Sequence, residues 1–209
     1  MKNLSTKAII LGHKNIGEND KFIFLYTEEF GKLRVVAKGA RKITSKFTGH
    51  LETLNICNIS LYFGPKTTIL RETETIRCSL RSHQNLEKIK SALQIAEITE
   101  QVLFERQSLQ NLLALLEHSI IQLESSDKPG LISIAYLIKL LDLMGILPDL
   151  SQTKTSLKEK YQKFFQYVQT HPLAELTNIA LSPTEEKDLK FILQGIIEKE
   201  TEHKVSSFF

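Results

Sequence analysis

Apolar and polar residues alternate along the first part of the chain and recur every three to four positions along the rest. Thr6 to His13, Lys21 to Thr27 and Lys32 to Lys38 each carry a period of two, the repeat of a strand with one buried face. Asn15-Ile16-Gly17-Glu18-Asn19-Asp20 and Glu28-Glu29-Phe30-Gly31 separate these strands; Gly, Asn and Asp tolerate the backbone conformations that reverse a chain. A longer connection runs through Gly49, after which Leu51 to Phe63 and, past the Gly64-Pro65 break, Thr67 to Cys78 predict two more strands. Five strands with the longer link after the third predict a small closed barrel, because a two-sheet sandwich usually takes more strands.

After Arg81 the period becomes that of a helix. Leu86, Ile89, Leu93, Ala96 and Leu103 mark one amphipathic helix, and Leu109, Leu112, Leu113, Leu116, Ile120 and Leu123 a second,. Leu131 to Met144 is apolar around most of its circumference and predicts a helix surrounded by the others, stopped by Gly145 and Pro148,. A fourth helix, with Leu157, Tyr161, Phe164, Phe165 and Val168, begins at a capping-box pattern of Ser156 and Glu159,. The fifth repeats that signal with Ser182, Pro183 and Glu185 ahead of Leu189, Ile192, Leu193, Ile196 and Ile197,. The fold class is therefore α+β, a β domain over residues 1–80 followed by an all-α domain over 81–209.

Charge divides along the same line. Residues 1 to 80 hold 13 Lys/Arg against 7 Asp/Glu, and the remainder 14 against 17, which points to nucleic acid or an acidic surface as partner of the first domain without choosing between them. The apolar run Ala8 to Leu11 is too short for a signal peptide, and Leu131 to Met144 falls short of the roughly 20 residues that span a bilayer. A cytoplasmic protein without a membrane role is expected. Cys57 and Cys78 are expected as free, buried thiols.

The basic residues are concentrated. Between Phe30 and Leu51 the chain carries Lys32, Arg34, Lys38, Arg41, Lys42 and Lys46 and no carboxylate. In the strand period Leu33, Val35 and Ala37 face a core, while Lys32, Arg34 and Lys38 line the opposite face, where cations two residues apart stand about 6.5 Å from each other. That spacing suits a row of phosphates better than one small anion. Arg41, Lys42 and Lys46 extend the charge into the following connection; the bland alternative is a strand edge protected by lysines. Phosphate contacts of this kind carry affinity without base specificity. Phe22, Phe24 and Tyr26 share a strand face and read most simply as barrel core, which leaves Phe47, beside Lys46, as the better site for base stacking. No phosphate-cradling Gly-rich loop, nucleophile elbow or His-Glu-x-x-His occurs,, so neither an enzyme nor a small-molecule substrate or cofactor is indicated.

Four segments resemble the RecO family of bacterial recombination mediators: Ala8-Ile9-Ile10-Leu11, Gly17-Glu18-Asn19-Asp20-Lys21, Leu25 to Leu33, and Val35-Val36-Ala37-Lys38-Gly39-Ala40-Arg41-Lys42. Leu61-Tyr62-Phe63-Gly64 and Leu140 to Leu150 are similar in kind. The resemblance implies an N-terminal OB-fold barrel, a helical second domain, and a nucleoid-associated role in recombinational DNA repair. It also implies binding of single- and double-stranded DNA, annealing of complementary strands, and cooperation with RecR and the C-terminal tail of the single-strand-binding protein in loading RecA. Many members carry a four-cysteine zinc site after the helix exit near Pro148. Here its first pair would fall at Thr153 and Ser156, neither of which supplies a thiolate, so no metal is expected. A protein-interaction adaptor and an OB-fold RNA-binding factor are the competing readings.

Overall fold

A computed structural model describes residues 3–78, 85–148 and 159–201. The Ser156 cap, the Thr153/Ser156 positions, Lys154, Lys158 and Phe208-Phe209 lie outside the described residues. The elements are β1 (Asn3–Ile16), β2 (Asp20–Thr27), β3 (Gly31–Ala37), β4 (Ile56–Phe63), β5 (Thr68–Arg77), α1 (Leu86–Val102), α2 (Leu112–Ser125), α3 (Pro129–Leu143), α4 (Glu159–Thr170), a 3-10 turn (Leu173–Asn178) and α5 (Pro183–Thr201). The chain forms two compact units, residues 1–84 with 99–113 and residues 85–98 with 114–209.

The five strands close into a barrel in the order β1-β2-β3-β5-β4. All pairings are antiparallel except β3 with β5, which run parallel through Val35↔Thr68 and Val36↔Ile69. This is the OB-fold. The period of two places Ala8, Ile10, Ile23, Leu25, Leu33, Val35, Ala37, Ile59, Leu61 and Leu70 inside,. Cys57 joins this core, and burial pushes its thiol above the ordinary range. Cys78 is free but exposed, a departure from the buried thiol expected there.

In the second unit α3 is buried along most of its length and packs against α4, α5 and the 3-10 turn. Gly145, at φ +71°, ends α3 by donating to the Asp142 carbonyl at 2.9 Å, while Ile146 donates to Leu141 at 3.1 Å,. The capping box of α5 forms as expected. Glu185 N donates to Ser182 Oγ at 3.3 Å, and Ser182 N donates to Glu185 Oε2 at 2.8 Å,. α1 turns differently from its expected phase: Leu86 and Leu93 are exposed, and Ala92, Ile95, Ala96, Ile98 and Val102 are buried. None of the described helices is long and apolar enough to cross a membrane.

Candidate nucleic-acid interface

The strand carrying the basic cluster begins at a turn built by one side chain. Thr27 Oγ1 accepts from Phe30 N at 2.9 Å and donates to the Gly31 carbonyl at 2.9 Å. Gly31 sits at φ +65°, and a Cβ there would lie 2.2 Å from the Gln107 carbonyl oxygen. Backbone approaches backbone at this point, with Lys32 N donating to Gln107 O at 3.2 Å and Arg106 N to Lys32 O at 2.6 Å. Residues 99–113 thus cover one end of the outer β2–β3 face.

Under that cover Lys32 is committed internally. Its ammonium donates to the Glu100 carbonyl, to the Leu103 carbonyl at 2.9 Å, and pairs with the Glu100 carboxylate at 3.1 Å. The side chain is 13% exposed, so Lys32 pegs the end of α1 to the barrel, and the expectation of a phosphate contact there is corrected. Its cross-strand neighbour Tyr26 is also covered, donating to the Leu109 carbonyl at 3.0 Å and accepting from Leu109 N at 2.8 Å.

Two residues further on, the same face is open. Arg34 and Lys38 are exposed, as the alternation with buried Leu33, Val35 and Ala37 requires,. The Arg34 guanidinium lies 5.2 Å from the Phe22 ring centroid, within cation–π range. Phe22 and Phe24 are half-buried on this outer face, whereas Ile23 and Leu25 fill the core. The reading of Phe22 and Phe24 as core is therefore corrected. Their alternation with Ile23 and Leu25 was visible in the sequence, but both phases of β2 are apolar and composition alone does not choose between them.

The exit from β3 is tied to the β1–β2 turn. Gly39 N donates to Asp20 Oδ1 at 2.7 Å, Arg41 N to the Asn19 carbonyl at 2.9 Å, and the Arg41 guanidinium to the Gly17 carbonyl at 2.6 Å. Arg41, Lys42 and Lys46 are exposed, so their charges continue past the strand from a hydrogen-bonded base. Phe47 does not accompany them outward. Its ring is 4% exposed and belongs to the barrel core with Leu51, while Lys46 lies over it at 5.6 Å from the centroid. A buried ring offers no face to a base, which corrects the stacking role expected of Phe47.

The chain cannot supply four thiolates to a zinc site,. The chain has two cysteines, Cys57 in the core of the barrel and Cys78 just after β5. Among the described residues no three His, Cys, Asp or Glu side chains group as metal ligands, and a closed zinc site takes four.

Two family models match the chain. The one described as Recombination protein O N terminal matches residues 1–79, and the one described as Recombination protein O C terminal matches residues 83–155. Among curated proteins, the DNA repair protein RecO of a Thermoanaerobacter species is 32% identical over 166 residues, 79% of this chain and 67% of that protein. Those of Caldanaerobacter subterraneus and a Roseiflexus species are each 30% identical, over 79% and 69% of this chain and 67% and 51% of their own lengths.

Proposed function

The chain belongs to the RecO family of DNA repair proteins, and on that premise we propose that it is a non-enzymatic recombination mediator. In this reading the barrel binds single- and double-stranded DNA and anneals complementary strands. The helical residues dock RecR and the tail of the single-strand-binding protein, so that the recombinase is loaded at the nucleoid. The domains divide this work as 1–80 and 81–209, with 99–113 serving to brace the barrel.

One observation carries the proposal. Arg34, Lys38, Arg41, Lys42 and Lys46 are all exposed along one strand and its exit, with no carboxylate in the intervening sequence. Annealing needs no covalent chemistry, since a cationic surface screens two phosphate backbones and base pairing supplies the driving force.

Fluorescence anisotropy with a labelled oligonucleotide across a salt series tests this reading. About five phosphate contacts give a log–log slope near −3.5 on single strands. Replacing Arg34, Lys38, Arg41 and Lys42 together by Ala should lower affinity on the order of a hundredfold and flatten that slope. A flat salt response in the unaltered protein, or unaltered affinity in the fourfold variant, refutes the proposal. Binding to RNA alone would favour the RNA-binding reading, and an unchanged rate of strand annealing the adaptor.

A further inference from the structure

Four residues of the outward strand phase form one row across the barrel wall, Val36 buried between half-buried Phe22, Ile69 and Tyr62. The pairings Phe22↔Val36, Val36↔Ile69 and Ile69↔Tyr62 join β2, β3, β5 and β4 at a single level. Their sequence neighbours Ile23, Val35, Leu70 and Leu61 belong to the core, so the row's own side chains lie on the opposite face. Three strand spacings of about 4.8 Å put its two aromatic ends roughly 14 Å apart.

Each end is an aromatic ring with an arginine over it. Arg34 lies 5.2 Å from the Phe22 centroid, and Arg71 5.1 Å from that of Tyr62. Arg71 owes its place to a register shift. Ser60 pairs with Glu72 and Leu61 with Leu70, leaving Arg71 as the inserted residue, and a bulge of this kind re-aims a side chain. The turn beside Tyr62 is fitted to it as well, for a Cβ at Gly64 would stand 3.4 Å from the ring and 2.9 Å from the Thr67 carbonyl oxygen. Lys66 is exposed on that turn.

We infer that this row is a stacking platform for unpaired bases, in which Arg34 and Arg71 swing from the faces of Phe22 and Tyr62 to the adjoining phosphates as bases take those faces. The inference rests on the DNA-binding reading above and adds which form of DNA the wall selects. A duplex keeps its base faces stacked inside and offers nothing to two rings on a convex wall. A single strand offers both a base face and a phosphate at each step. Charge limits the path: exposed Arg34, Lys66 and Arg71 flank the row, whereas exposed Glu72 and Glu74 further along β5 repel a phosphate chain. The strand therefore runs across β2, β3, β5 and β4 and does not follow β5.

Phe22→Leu and Tyr62→Leu leave every charge in place. Each should weaken binding to oligothymidylate about tenfold, while duplex affinity and the salt slope stay within twofold of the unaltered protein. Tyr62→Trp should retain single-strand affinity, and its indole, alone in a chain without tryptophan, should lose emission on adding oligothymidylate but not duplex. Equal losses on single strand and duplex, unaltered single-strand affinity, or unquenched indole emission in a binding-competent Tyr62→Trp protein would each overturn the platform. Single-strand affinity that both leucine variants leave unaltered, with its salt dependence intact, refutes the platform and leaves the mediator reading standing. Absence of binding to either DNA refutes both.

Discussion

The two ends of the outer β2–β3 face have the same chemistry and opposite fates. Tyr26 pairs with Lys32 at one end and Phe24 with Arg34 at the other, in each case a ring across from a cation. Residues 99–113 fold against the first pair, where the carbonyls closing α1 take up the lysine and Leu109 takes up the phenol. The carbonyl end of a helix attracts a cation, so the covered lysine becomes a structural peg. Nothing printed by the strand period distinguishes the two cations; what distinguishes them is a segment about seventy positions away along the chain.

Three substitutions separate these ends, beginning with the strongest. Gly31→Ala forces a side chain onto a backbone oxygen that cannot yield and holds it at positive φ. It should cost about 2–4 kcal/mol, read as a lower urea midpoint, without altering the affinity of the folded fraction for DNA. Lys32→Ala leaves the Glu100 carboxylate and two carbonyls without this donor and should cost about 1–3 kcal/mol, with DNA affinity again within twofold. Arg34→Ala should do the reverse, keeping stability within about 0.5 kcal/mol and losing affinity several-fold. Equal losses of affinity in the lysine and arginine variants would return Lys32 to the interface and erase the distinction.

The smallest effect lies in the helical unit and acts as a control on both ends. Ser182→Ala removes the α5 cap and should cost about 1 kcal/mol with no change in DNA affinity. The same cap carries a pH signature. The Lys160 ammonium, then the Ser182 backbone and hydroxyl, hold the Glu185 carboxyl down to about 2. Because the folded value is the lower one, the stabilisation is complete above the ordinary glutamate range and fades as pH falls toward 2. An acid titration of helical circular dichroism should show that loss in the unaltered protein and a smaller one in the Ser182 variant.

The barrel was legible because in β3 Leu33, Val35 and Ala37 share the phase opposite charged Lys32, Arg34 and Lys38, and the turns at Gly31 and Gly39 sit at positive φ. The α5 cap was legible for a similar reason, since Ser182 and Glu185 are local partners. What escaped is what non-local packing decides. Phe47 sits in a basic run but turns inward to fill the core with Leu51. In α1 both apolar phases were available, and the unit buried Ile95 and Ile98 in preference to Leu86 and Leu93. Tyr62 and Arg71 carry no signal in isolation; only the register of β4 on β5 brings them together.

The barrel closes between β3 and β5 through Val35↔Thr68 and Val36↔Ile69 alone. So short a ladder predicts that hydrogen exchange finds this joint opening before the longer antiparallel ones. Val36 and Ile69, the middle of the aromatic row, straddle it. A strand laid from Phe22 to Tyr62 acts as a clasp across the seam, and any ligand that prefers the closed wall shifts the balance against opening. On the platform reading, the joint with the shortest ladder and the grip on an unpaired strand coincide.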